Sequence, residues 1–131
     1  MHLTAPVSPG EFLDKTTILE IKLARIPDAD KRANVARELD LLRAEWARSR
    51  FASADVTLHV TQLRQVNEAL WEIEDEIRLK ERDQAFDARF IELARAVYHT
   101  NDKRAAVKRA INLKLGSRLV EEKSYQDYGA A

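Results

Sequence analysis

Apolar and polar residues recur along this chain at helical intervals, not strand intervals. Leu63, Val66, Leu70, Ile73 and Ile77 step by three and four in turn, which keeps them on one face of a helix and gives it a coiled-coil-like seam. The pattern predicts the longest helix from about Leu58 to Glu81. Val35, Leu39, Leu42 and Trp46 draw a single stripe on a shorter helix before it. Phe86, Phe90, Leu93 and Val97 define one face of a fourth helix, and Val107, Ile111 and Leu115 one face of a fifth. The first helix differs. Phe12, Thr16, Leu19, Leu23 and Ile26 form a stripe, yet Leu13, Ile18 and Ile21 lie on other faces. Apolar surface on several sides predicts a helix at the centre of the fold.

The breaks between these patterns have recognisable chemistry. In Ser8-Pro9-Gly10-Glu11, Ser8 is a helix cap, Pro9 takes the first helical position where its missing N–H costs nothing, and Glu11 completes a capping box. Val7 and Phe12 are placed to staple the entry. Pro27 ends the first helix, and Asp28 or Asp30 starts the second. Ser49 to Thr57 reads as a loop, and Asp83-Gln84-Ala85 as a break. Thr100-Asn101-Asp102 offers capping side chains for the fifth helix, and Gly116 stops it. The expected architecture is all-α: one domain over 1–131, with 1–7 and 117–131 irregular, built as an up-and-down bundle or a long helical hairpin with shorter helices added, about five helices in all.

Composition supports this reading. Hydrophobic residues make up 45% of 131, charged residues 34%, and there are only three Gly and three Pro, a helical composition and one for a single core. The absence of Cys excludes disulfides, thiol nucleophiles, iron–sulfur clusters and Cys-bound zinc. Met1 to Gly10 has no signal-peptide pattern and no stretch is apolar enough to span a bilayer. No membrane partner and a cytoplasmic location are therefore expected.

Formal net charge is zero, which provides no long-range field toward nucleic acid. The charges are nonetheless segregated. Glu68 to Glu92 holds nine acids against four bases, whereas Lys103, Arg104, Lys108, Arg109, Lys114 and Arg118 have no acid between them. These segments are expected to neutralise each other within the fold or a dimer, with nucleic-acid binding by the basic helix the weakest of the readings.

Chemistry is sparse. The three Gly are too dispersed for a phosphate-binding loop, and His2, His59 and His99 have no metal-site spacing. No metal and no cofactor are expected. Glu72, Asp75 and Glu76 share a face, a spacing common on solvated helices. More informative are Asn67, Glu74 and Glu81, which recur every seven residues beside the buried seam, with Arg78 close by. A buried carboxylate requires a partner, and Arg104, Lys108, Lys15 and Lys22 flank the apolar stripes of other helices. Either these groups form a salt-bridge network that fixes helix register, or they line a polar pocket. In the second case Glu74, Arg78, Glu81, Arg104 and Lys108, with Tyr98 at the rim, are the candidate ligand-binding residues for a phosphate or carboxylate. No catalytic residue is identified.

Several stretches are similar to a bacterial family known as domain of unknown function 6165. They are Val7-Ser8-Pro9-Gly10-Glu11-Phe12-Leu13-Asp14-Lys15, continuing through Thr17-Ile18-Leu19-Glu20-Ile21-Lys22-Leu23; Leu70-Trp71-Glu72-Ile73-Glu74-Asp75-Glu76-Ile77-Arg78; Phe90-Ile91-Glu92-Leu93-Ala94-Arg95 with Val97-Tyr98; Asn101-Asp102-Lys103-Arg104 with Lys108 and Ile111-Asn112; and Glu121-Glu122-Lys123-Ser124-Tyr125. The resemblance covers nearly the whole chain. It implies no activity and no catalytic residues, a link to surface-polysaccharide biosynthesis, and interest in the Asn101–Arg104 corner and the Glu121–Tyr125 tail.

The leading expectation is a non-enzymatic interaction or accessory protein that self-associates as a homo-oligomer or binds a protein partner, with Ile18 and Ile21 as interface candidates. The alternative is a phospho-ligand or nucleotide-sugar binding protein or small enzyme with a charged pocket between helices.

Overall fold

The computed structural model describes residues 1–120 and 122, and within them the chain forms four helices and no strand. They are α1 (Pro9–Arg25), α2 (Ala29–Arg48), α3 (Thr57–Arg82) and α4 (Ala88–Lys114). The predicted boundaries hold closely. Ser8 caps α1 by accepting from the Glu11 N–H at 3.1 Å, with Pro9 opening the helix. Asp28 caps α2 by accepting from Lys31 N–H at 2.9 Å, and Asp87 caps α4 through Phe90 N–H at 3.0 Å.

The fourth and fifth helices expected from the sequence are one helix of 27 residues. Thr100-Asn101-Asp102 does not cap a new helix because the seam runs through it. Phe90, Leu93, Val97, Thr100, Arg104, Val107 and Ile111 continue the three–four spacing without a slip, and the two polar members hide that continuity. Asn101 and Asp102 remain helical, since packing along a long seam outweighs the weak preference of such residues for caps.

α3 and α4 form an antiparallel hairpin, each about 40 Å long at ~1.5 Å per residue. Their turn is closed at Gln84, whose φ of 53° is left-handed. Ala85 N–H donates to Lys80 C=O at 2.9 Å and Gln84 N–H to Glu81 C=O at 3.1 Å, the paired bonds of a Schellman ending. The same pair closes α4, with Gly116 at φ 66° and Ser117 N–H donating to Asn112 C=O at 2.9 Å. Residues 117–120 form no helix or strand. Apart from Glu122, the Glu121–Tyr125 tail lies outside the described residues.

α1 packs against all three other helices, whereas among the described helices α2 packs only against α1. The central position follows from two buried faces. Gly10, Asp14, Thr17 and Ile21 step by four, three and four and are buried, and so are Thr16 and Leu19. Leu13, Leu63 and Ile111 form the core between α1, α3 and α4, with Trp46 of α2 packed against it. Phe12 meets Trp46 at 5.7 Å and Trp46 meets Phe51 at 5.9 Å between ring centroids. Glu20 pairs with Arg43 of α2 and Arg64 of α3, tying three helices at the surface.

Candidate functional site

Two adjoining features arise where α1 lies on the hairpin. The first is a buried polar cluster. Gly10 lets the start of α1 approach α4 so closely that an added Cβ would fall within 3.0 Å of the Lys108 backbone. Gly10 N–H donates to Asn112 Oδ1 at 2.7 Å across this contact. One turn on, Asp14 is only 2% exposed. Its Oδ1 accepts from Asn67 Nδ2 at 2.8 Å, and its Oδ2 faces Arg104 Nε at 3.5 Å and Lys108 Nζ at 3.9 Å. Asn67 Nδ2 also donates to Thr17 Oγ1 at 3.0 Å, and that hydroxyl donates to Asp14 C=O at 2.7 Å. Lys108, 3% exposed, pairs with Glu11 at 2.6 Å. Charges from α1 and α4 are therefore paired here, with Asp14 and Lys108 out of water and the Asn67 amide of α3 completing the cluster, as a buried charge requires.

Glu11, assigned above to a capping box, reaches instead for Lys108 of α4. The expected pairing of Glu74 and Glu81 with Arg104 and Lys108 is also replaced. α1 lies against the hairpin and presents Asp14 and Glu11, while Glu74 pairs with Arg78 on its own helix at 3.3 Å. Lys15 pairs with Glu38 of α2 at 3.1 Å. The segregated charge seen in the sequence is spent between elements: Arg89 of α4 holds Glu76 of α3 at 2.6 Å, and Lys80 holds Asp87 at 2.8 Å. The Arg89 guanidinium keeps the Glu76 carboxyl below the usual carboxylate range, and the Lys80 ammonium, helped by Phe90 N–H, does the same for Asp87. Of the basic run, Arg104 and Lys108 serve α1, Arg109 pairs with Glu122 at 2.8 Å, and Lys114 donates to Asp55 C=O at 2.6 Å.

The second feature is a cavity of about 320 Å³ beside the cluster. Ile18 and Ile21 of α1 and Leu70 and Trp71 of α3 supply its apolar walls. Lys22, Glu74, Asp75 and Arg104 carry its charge, and Asn67 joins it to the buried cluster. Chemically it offers a flat aromatic wall with charges of both signs around it, the ordinary make-up of a small-ligand site. Its nine lining residues include no hydroxyl, thiol or imidazole.

Of the sequence candidates, Glu74 and Arg104 line this cavity and Lys108 sits in the cluster behind it. The others lie elsewhere. The Arg78 side chain is 79% exposed, Glu81 is exposed in the last turn of α3, and Tyr98 lies on the surface of α4 with its ring 5.1 Å from that of His99. Ile18 and Ile21 are both cavity walls, Ile21 being 3% exposed. Asp14, Lys22 and Trp71 escaped the list of candidates. The signal for Asp14 was present: Gly10, Asp14 and Thr17 form a short stripe of small and polar residues at helical spacing, the pattern of a close helix contact.

A family model matches residues 3–129. The chain belongs to DUF6165, a family of unknown function. No curated protein and no solved structure matches it. Membership thus adds no chemistry to the cavity, and its reading rests on the residues that line it. Among the described residues no three His, Cys, Asp or Glu side chains come together as a metal-binding group, and no helix is long and apolar enough to cross a membrane.

Proposed function

We propose that the chain works by binding, as a helical interaction module whose small ligand seats in the cavity between α1 and α3 and in reach of Arg104. The observation that carries this is the conjunction of Trp71, Leu70, Ile18 and Ile21 as walls with Lys22, Arg104, Glu74 and Asp75 as charges in one cavity. Burial of an aromatic or aliphatic group against such walls contributes roughly 25 cal/mol per Å², and the charges orient what is buried. Thermal melting against a panel of aromatic acids, amino acids and sugar phosphates tests it. A ligand at about 100 times its Kd raises stability by about 2.7 kcal/mol, and Trp71→Ala removes that rise. A panel with no shift refutes the reading.

A second reading, self-association, draws on a different surface. Leu79, Phe86 and Ile91 are 49%, 54% and 60% exposed around the hairpin turn. Arg78, Arg82, Glu81 and Asp83 surround them with both signs of charge. A two-fold contact brings the same patch together twice and so requires such self-complementarity. A second copy is the partner that this surface fits. Sedimentation equilibrium decides it: a dimer that Phe86→Lys with Ile91→Lys dissociates supports the reading, and a monomer at all concentrations ends it.

A further inference from the structure

We infer that the cavity's ligand is a small zwitterion: an apolar ring or branched chain carrying one oxyanion and one ammonium group, as a free amino acid does. This rests on the cavity being a binding site and adds the ligand's charge.

The inference comes from how the lining residues spend their hydrogen bonds. Arg104 faces Asp14 through Nε, and its terminal nitrogens have no partner among the described residues. Asp14 is buried and fixed by Asn67, so it acts as a positioning residue that holds the guanidinium in place with its outer fork open. Such a fork is suited to a carboxylate or phosphate. Lys22 lines the same cavity and likewise pairs with nothing among the described residues. These two cations make an oxyanion end.

The opposite charge is equally available. Asp75 lines the cavity and has no partner among the described residues, although Lys22 lines it too. Two opposite charges in one cavity, too far apart to pair with each other, leave room for a ligand group that meets each. Glu74 adds a second carboxylate, engaged among the described residues only by Arg78, an exposed neighbour on its own helix. Asn67 adds an acceptor. It is 5% exposed, and its Nδ2 makes the bonds to Asp14 and Thr17, which fixes the amide orientation and leaves Oδ1 without a donor among the described residues. Acceptors of this kind suit an ammonium.

The sum of these charges argues against the other oxyanion ligands. Two cations and two carboxylates leave the lining neutral, so a polyphosphate or a nucleotide sugar meets Glu74 and Asp75 with like charge. A cavity of about 320 Å³ is at the small end of ligand sites and fits one ring with its polar head.

Calorimetric titration with phenylalanine, hydrocinnamate, phenethylamine and phenethyl alcohol tests this, because the four share ring and spacer and differ in charge. Phenylalanine is expected to bind best, with each charge removed weakening binding about tenfold. Lys22→Met should erase the advantage conferred by the carboxylate, and Asp75→Asn that conferred by the ammonium. Neither residue has a partner among the described residues, so circular dichroism melts should show the fold unchanged. If all four compounds bind equally, the cavity reading stands and the zwitterion inference falls. If hydrocinnamate alone binds, the site is an anion site and the inference also falls. If none binds at millimolar concentration, both fall together.

Discussion

The two ends of the α3–α4 hairpin are held together by different means. At the end covered by α1, Asp14, Asn67, Lys108 and Asn112 are buried and joined by hydrogen bonds and ion pairs across three helices. At the turn, Glu76–Arg89 and Lys80–Asp87 join two helices through half-exposed side chains at the surface. The same kinds of charge are used in both places. What differs is water: a surface pair gains little beyond what solvent already provides, whereas a buried group left without its partner is costly. The covered end is therefore specified residue by residue, and the exposed end tolerates change. The cavity lies on the α1 side of this boundary.

Substitutions can break this contrast. The largest effect is expected from Asp14→Ala, which removes the acceptor for Asn67 and the counter-charge for Arg104 and Lys108 at once; chemical denaturation should show a loss of about 3 kcal/mol. Gly10→Ala comes next. The added methyl cannot fit against the Lys108 backbone without moving α1, and overpacking of this kind costs about 2 kcal/mol. A loss equal to that of an ordinary surface change would mean that α1 is not held as closely as described.

At the other end, Arg89→Ala should shift the melting temperature far less than either. Its effect is expected to depend on pH. Glu76 and Asp87 are held below the usual carboxylate range by Arg89 and Lys80, so their pairing stabilises the fold above the unfolded carboxylate pKa and is lost as pH falls below about 4. Amide hydrogen exchange across α3 and α4 should show the turn loosening first in acid, and Arg89→Ala should remove the part owed to Glu76. Uniform loosening would erase the distinction between the two ends. The smallest effect is a gain. Gln84 adopts φ 53°, where a side chain costs about 1 kcal/mol, so Gln84→Gly should raise stability by less than that once the added freedom of the unfolded chain is subtracted.

Much of the fold was legible in the residues. Ser8-Pro9, Asp28, the break at Asp83-Gln84-Ala85 and Gly116 mark helix ends because caps and turns are local chemistry, decided within a few residues. The seam from Leu63 to Ile77 was legible because a helix repeats its face. The fourth and fifth helices were divided in error because Thr100 and Arg104 occupy seam positions without being apolar. The candidate site was legible only in part. Glu74, Arg104 and Lys108 were selected as polar groups beside apolar stripes and do lie at or behind the cavity. Glu81, chosen by the same criterion, lies on the surface, as do Arg78, chosen for lying close by, and Tyr98, placed at the rim.

By itself, then, the sequence determined helical content, most boundaries and the central place of α1, all properties of spacing along one chain. Only the tertiary structure decided that Asp14 would hold Arg104, that Glu11 would leave its cap for Lys108, and that Trp71 would wall a cavity while Trp46 packed against the core. The reason is geometric. Periodicity fixes which residues share a face of a helix, but the partner of a charge depends on the crossing and rotation of a second helix, and that is set by the packing of all four.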